Sequence, residues 1–343
     1  MKLNFTYDVD AARVLRDPAI YEKLHLWRHA GVGRLMLNGY FYGHEVSRDD
    51  DMSAAKRRLE DEGFEVGIIN VPLGHGGNAL DPNDPTIPLE VGEGWRSTCD
   101  HDGNIRMNTT CIDDKVIADT RAVVEKYKAM GFKVIFYDDD LRLGRWGGDM
   151  QGCYCPRCME EFSALEGRSV SRSEIFEERD TELCERWMDF QCGHISRFLR
   201  GVTPDGITSG IMVMHDGGRR HGIDIKRLRR EMPDNLLMRV GEAHFGDGDF
   251  GCDEGKRSLC ASIRNHLALI GNNDIAFSET TVYPVGALSP DNWVEKMRLE
   301  IGCGLRNLYL MSGTAALPDI YWNTLRSALP ELHSLCGENN LFS

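Results

Sequence analysis

The sequence predicts an α/β fold, a single (β/α)8 TIM barrel over residues 1–343 with long loops after strands three and four. Three observations predict it. A short apolar or β-branched run, a loop rich in Gly and polar residues, and an amphipathic stretch recur eight times in that order, which is the signature of βα units. Eight units need about 250 residues, and the 343 present leave room for insertions. No low-complexity linker divides the chain. The competing arrangement is a doubly wound open sheet, but the Gly-x-Gly-x-x-Gly fingerprint of its dinucleotide-binding form is missing after the first strand.

Strands are expected at residues 3–8, 34–38, 65–71, 133–138, 207–214, 236–241, 274–278 and 307–311, each a short run of apolar or β-branched residues. Helical periodicity covers residues 49–62, 113–130, 223–231, 254–270, 290–301 and 321–335. The fourth helical region is double, with residues 156–165 followed by a longer stretch over 174–199. Pro233 acts as a stop after the fifth helix, and Ser289 with Pro290 supplies an N-cap and first helical residue for the seventh.

Composition narrows the partners. With 40 Lys and Arg against 54 Asp and Glu, the formal net charge is −14 and no basic block is present. Phosphate backbones demand the opposite footprint, and anionic lipid repels an acidic surface. Nucleic acid and membrane are therefore excluded as expected partners, while a homo-oligomer is left open. The first residues carry no apolar run of signal-peptide length, and nowhere do 18 apolar residues follow one another. The expectation is a cytoplasmic protein.

Barrel chemistry is built where strands end, and here those ends are polar. The first strand ends in Tyr7-Asp8, the second leads to Asn38, Tyr40 and His44, and the fourth ends in Asp138-Asp139-Asp140 followed by Arg142 and Trp146. The fifth ends in His215-Asp216, the sixth in Glu242 and His244, and the seventh in Glu279 with Tyr283 beyond it. Carboxylates facing one another among aromatic residues suit glycoside cleavage, in which one acid protonates the departing oxygen while the other attacks or activates water. A single strand-end carboxylate more often caps a helix or pairs with a loop Arg. Three in a row repel one another unless protons, cations or Arg142 offset the charge, which points to a ligand or to raised pKa values. Alternation along a strand would place Asp138 and Asp140 on one face and Asp139 on the other.

Eleven cysteines cannot all pair. Cys153, Cys155 and Cys158 form Cys-x-Cys-x-x-Cys, a spacing best explained by tetrahedral zinc. Cys111 is the expected fourth ligand, with Cys99 and His101 as substitutes. Four sulfur ligands leave no open position, so this zinc would brace the long loops. Cys184, Cys192, Cys252, Cys260, Cys303 and Cys336 fall at helical positions and read as small core residues.

The stretch from Val134 to Gly167 resembles the fourth-strand region of the β-galactosidases of glycoside hydrolase family 42 and their relatives. It carries Val-Ile-Phe-Tyr-Asp-Asp-Asp-Leu-Arg and then Gly-Cys-Tyr-Cys-Pro-Arg-Cys-Met-Glu-Glu-Phe-Ser-Ala-Leu-Glu-Gly. The resemblance implies a barrel, a zinc completed by an earlier cysteine such as Cys111, an acid/base at Asp140 and a nucleophile at Glu279. Asp-Asp-Asp stands where the family has Asp-Asn-Glu, so Asp139 replaces the Asn expected at the sugar 2-hydroxyl and Asp140 is one methylene shorter. The single barrel expected here spans residues 1–343, whereas the family continues into further domains.

The expected function is thus glycosidic cleavage by a retaining mechanism. Asp140 and Glu279 would be catalytic, with carboxyl groups about 5–5.5 Å apart for retention, or about 6.5–9.5 Å for inversion. Asp8, Tyr40, Asp139, Arg142, Trp146, His215, Glu242, His244 and Tyr283 would bind the carbohydrate, and Trp95 is a second candidate stacking platform. Two alternatives compete. One is a metal-dependent sugar isomerase, epimerase or aldolase-type barrel holding a cation between Glu242 and Glu279. The other is a glycan-binding barrel without catalysis, which the shortened Asp140 permits.

Overall fold

The structure, a computed structural model, describes residues 2–73, 91–138, 152–177, 181–213, 218–313 and 315–338. Its elements begin with β1 (Asn4–Val9), α1 (Ala11–Arg16), α2 (Ile20–His29), β2 (Val32–Phe41), β3 (His44–Glu45), α3 (Asp49–Asp61) and β4 (Glu65–Val71). There follow β5 (Ser97–Cys99), β6 (Ile105–Thr110), α4 (Asp114–Ala129), β7 (Val134–Tyr137), α5 (Pro156–Glu166), α6 (Arg172–Glu177), α7 (Glu182–Val202) and β8 (Thr208–Met212). The remainder comprises α8 (Ile225–Glu231), β9 (Leu236–Arg239), α9 (Asp247–Phe250), α10 (Asp253–Ile270), β10 (Ala276–Phe277), β11 (Thr280–Thr281), α11 (Pro290–Gly302), β12 (Asn307–Met311) and α12 (Asp319–Glu338).

The main sheet runs β1-β12-β10-β9-β8-β7-β4-β2, and β1 also pairs with β2, which closes the (β/α)8 barrel. Parallel register joins Asn4 to Asn307 through Tyr7 to Leu310 on one side of β1, and Thr6 to Arg34 through Val9 to Leu37 on the other. Three helix starts follow local chemistry. Asp113 accepts from Val116 N, Asp224 from Arg227 N and Thr181 from Cys184 N, each satisfying a main-chain donor left over at a helix N-terminus. Ser289 sits before Pro290 as expected, but its hydroxyl turns away to Asp247 Oδ1 at 3.1 Å and does not cap α11.

Three departures from the sequence expectation have physical causes. Residues 97–110 form an antiparallel hairpin where only a loop was expected, because its strands lack apolar alternation and Asp100 closes the turn by accepting from Asn104 N at 2.8 Å. The second strand reaches Phe41, since Tyr40 and Phe41 pair with Glu45 and His44. The seventh strand is broken: β10 ends at Phe277, and Ser278 Oγ accepts the Tyr309 N–H at 3.0 Å. Pairing with β12 resumes at Thr280. Such an interruption re-aims the side chain beside it, and that side chain is Glu279.

The residues group into two compact units. The first comprises residues 1–38, 47–69 and 237–343. Trp322 is central to its packing, edge-on to Tyr7 at 4.7 Å and to Trp293 at 5.9 Å. The second comprises residues 39–46 and 70–236. It holds a separate apolar cluster in which Trp187 lies 4.7 Å from Tyr154 and 5.0 Å from Phe162. Among the described residues, no helix is long and apolar enough to cross a membrane.

Candidate functional site

In the first unit, the strand break presents Glu279 to a set of convergent donors. Its Oε2 accepts from the main-chain N–H groups of Glu242 at 2.7 Å and Ala243 at 3.0 Å, and its Oε1 lies 3.7 Å from Arg239 Nη2. Arg239 is 3% exposed on β9, with Nη1 2.8 Å from Met311 Sδ and its guanidinium 5.2 Å from the Tyr309 ring. Two peptide donors and a buried guanidinium form a cradle for an anion. Oε2 takes both peptide bonds, and Oε1 faces the Arg239 guanidinium. The donors are aimed by a backbone turn in which Ala243 and His244 have φ of 56° and 61°. That region is unfavourable for residues other than Gly and must be held by its surroundings.

The surroundings are ionic. Lys296 Nζ donates to Ala243 O at 2.9 Å and Glu279 O at 2.8 Å, and it lies 3.6 Å from Glu242 Oε2. Glu300, one helical turn further along α11, accepts from Thr280 Oγ1 at 2.7 Å. Glu242, Lys296 and Glu300 are all fully buried. Burial pushes the Glu242 carboxyl well above the ordinary carboxylate range, and the neighbouring Glu300 charge adds to the shift. Glu300 is raised for the same first cause, with Lys296 opposing it. A proton retained on Glu242 leaves this group and the Arg239–Glu279 pair electrically balanced.

Glu242 was expected to line a sugar site; its side chain is fully buried against Lys296 and Glu300. Between Glu242 and Glu279, where the alternative reading places a cation, Lys296 and Arg239 supply positive charge beside both carboxyls. Arg239, Lys296 and Glu300 were missed. A signal existed for the last two: they fall in the apolar stripe of α11 with Trp293, Met297 and Ile301, where a charge is unexpected.

Other expected residues are placed as follows. Asp8 is buried on β1, and nearby Asn38 Nδ2 donates to Asp10 Oδ1 at 2.5 Å. His244 is half-buried, with Nδ1 2.8 Å from Glu242 O. Since a carbonyl only accepts, Nδ1 carries a proton there. Tyr283 is half-buried beyond β11, its N–H bonded to Phe245 O at 3.2 Å. In the second unit, Tyr40 is buried, with its ring edge-on to Trp95 at 6.0 Å. Burial, with the Asp119 and Glu45 charges, raises its hydroxyl pKa further and keeps it a donor. Trp95 is buried, its Nε1 donating to Asp119 at 2.7 Å, and Gly43 and Gly92 lie against its ring. Asp138 sits just after β7 with its N–H on Asn70 O at 2.8 Å. Asp139, Asp140, Arg142, Trp146 and His215 lie outside the described residues.

The second unit also brings Cys111, Cys153, Cys155 and Cys158 together, with all four sulfurs within 4.8 Å of one another. Cys111 Sγ is 3.9 Å from Cys155 Sγ and 3.6 Å from Cys158 Sγ. A tetrahedron with zinc–sulfur bonds of about 2.3 Å has edges of about 3.8 Å, so the donor set fits. Cys155 occupies the N-cap position of α5 and Cys158 its first turn, where the helix dipole favours thiolates. The hairpin fixes Cys111, whose N–H bonds to Arg96 O at 2.8 Å, and the loop is tied back by Tyr154 N to Cys99 O at 3.0 Å. Arg96 reaches Cys111 Sγ at 3.6 Å and Cys155 Sγ at 3.8 Å, and its Nε donates to Asp113 at 3.1 Å. Neither substitute ligand joins: Cys99 lies outside the four, and His101 meets the Tyr154 ring edge-on at 6.5 Å. Of the remaining cysteines, Cys252 departs from expectation, being exposed at the N-cap of α10.

No protein-family model matches the chain, and no curated protein matches it in sequence. Among solved structures, it is similar to the PgaB (BpsB) glycoside hydrolase domain from Bordetella bronchiseptica, with TM-score 0.60 and 12% identity over 98% of each chain. It also aligns with a GH18 chitinase from Pseudoalteromonas aurantia at TM-score 0.47 and 10% identity, covering 96% of this chain and 100% of that one. At 12% identity the first likeness is one of fold.

Proposed function

We propose that this chain is a glycoside hydrolase-like enzyme acting on a carbohydrate, with Glu279 as its nucleophile. The observation that carries the reading is the Glu279 cradle: one carboxylate oxygen fixed by two peptide N–H groups, and the other facing a buried guanidinium at the end of the seventh strand. Orientation of this kind prepares a carboxylate for in-line attack without reorganisation. The fold likeness to a protein titled a glycoside hydrolase domain is compatible with the reading. In the retaining sequence, Oε1 attacks the anomeric carbon while Asp140, assigned from the sequence, protonates the departing oxygen. Asp140 then takes a proton from the water that releases the sugar from Glu279. Asp8, Tyr40, Asp139, Arg142, Trp146, His215, His244 and Tyr283 are the proposed carbohydrate contacts, and Glu242 moves from that set to the supporting layer.

The cysteine cluster is proposed to bind structural zinc through Cys111, Cys153, Cys155 and Cys158. Bound there, the metal would cross-link the hairpin to the loop before α5, and four sulfur ligands would leave it no site for substrate. A panel of nitrophenyl glycosides combined with metal analysis of the purified protein tests both proposals. The expected results are turnover of at least one glycoside, lost in Glu279→Ala and recovered with azide, and about one zinc per chain. Sugar binding without turnover across the panel would replace the enzyme by a glycan-binding barrel. Metal-free protein that takes up no zinc would remove the second proposal.

A further inference from the structure

We propose that Lys296 is a positioning residue for Glu279, acting through the left-handed turn at residues 243–244; the inference rests on Glu279 being the reactive carboxylate. Lys296 is fully buried on α11. Burying an ammonium is costly, and an apolar side chain of similar volume would pack the same space more cheaply. The charge therefore needs a reason in what it touches.

An ammonium has three donors, and those of Lys296 face a single structure. One goes to Ala243 O, the carbonyl of a residue whose N–H holds Glu279 Oε2. Another goes to Glu279 O, the carbonyl of the held residue itself. The third direction is toward Glu242 Oε2, the side chain of the other residue whose N–H holds Glu279. Lys296 thus contacts both residues that supply the peptide donors and Glu279, which accepts from them; Arg239 stands outside its reach among these contacts. Glu300 completes the support, since it accepts from the hydroxyl of Thr280, the residue next to Glu279. Without Lys296, Ala243 and His244 would lose one of the contacts that hold them at positive φ, and the donor pair would no longer be aimed.

The alternative is that Lys296 merely anchors α11. Hydrogen–deuterium exchange on the full chain separates the two. In Lys296→Met, peptides covering residues 242–244 are expected to lose protection at least tenfold, while α11 and the cysteine cluster keep theirs. Lys296→Met/Glu300→Gln removes one charge of each sign and serves if the single variant does not fold; it should show the same local loss. On whichever nitrophenyl glycoside the wild type hydrolyses, kcat should fall about tenfold to a hundredfold with KM within about twofold. Loss of protection spread along α11 with no excess at residues 242–244, or a raised KM with unchanged kcat, overturns the positioning role. If no glycoside is hydrolysed by the wild type, the glycosidase reading fails, and the exchange result still decides what Lys296 does.

Discussion

The cysteine cluster and the Glu279 cradle both concentrate buried charge-forming groups, but they are assembled in opposite ways. Three of the four thiols come from one heptapeptide, residues 152–158, and the fourth from the foot of a hairpin. The cradle draws on the end of β9, the broken seventh strand and the inner face of α11, all distant in sequence. Compensation differs as well. At the cysteine cluster the proposed zinc would offset four thiolates, with Arg96 at the periphery, whereas the carboxyls of the cradle face Arg239 and Lys296, and burial favours the protonated form of Glu242. The lesson is that a ligand-dependent site tolerates a simple local motif, while a self-compensating one requires tertiary structure to bring its counter-charges in.

The sharpest way to break this contrast is to remove the central group of each site. Glu279→Ala should lower kcat on a responsive aryl glycoside by at least about a thousandfold, with azide restoring part of it and no change in zinc content. Unchanged turnover would leave the cradle as a structural ion pair. Cys155→Ser should abolish stoichiometric zinc and lower the melting temperature by about 10 °C, the shift expected for several kcal/mol in a chain of this size. Chelator should depress the wild type similarly and leave the variant where it is. Equal melting temperatures in all three states would mean that no metal stabilises the loops.

That difference in assembly also explains what the sequence disclosed. Residues 65–71 and 307–311 were read as strands and are found with those bounds, because continuous apolar runs there match the strand period. The thiols were legible for a similar reason: a spacing rule holds whatever the rest of the chain does. Glu279 was located by its place after a strand, yet its partners were not. Arg239 reads as an ordinary strand residue, and Lys296 and Glu300 stand out only as charges within the apolar stripe of α11, with nothing in the sequence to name the groups they meet once that face is packed inward. The strand break at Ser278 was equally hidden, since it depends on a hydroxyl replacing a main-chain acceptor for Tyr309.

A smaller perturbation sharpens the contrast from the cysteine side. Arg96 touches two of the sulfurs and ties them to Asp113, the N-cap of α4. Groups of this outer layer orient metal ligands and offset their charge. Arg96→Ala should weaken zinc by about 10–100-fold in competition with a chromophoric chelator, with the zinc stoichiometry preserved at saturation. An unchanged affinity would reduce Arg96 to a brace between loop and helix.

The last effect is read against pH, at Glu242, where burial favours the protonated acid. Its folded pKa is raised by burial and by Glu300, so the carboxyl is neutral in both folded and unfolded chains below the ordinary Glu value, near 4.3. As pH rises above that value, the unfolded chain releases the proton while the folded chain keeps it, and stability falls by at most about 1.4 kcal/mol per pH unit until the folded group titrates. Glu242→Gln mimics the protonated acid and cannot ionise. Its urea midpoint should therefore gain on that of the wild type between pH 5 and pH 7.5, with the difference shrinking toward pH 4. Ion-paired surface carboxylates such as Glu166, whose pKa is lowered by Arg186, act in the opposite direction, losing their contribution as pH falls, and contribute equally to both proteins. Parallel midpoints for wild type and variant across this range would mean that Glu242 holds no proton, and that the proton needed to balance the three carboxyls against Lys296 and Arg239 sits on Glu300, whose pKa is raised as well.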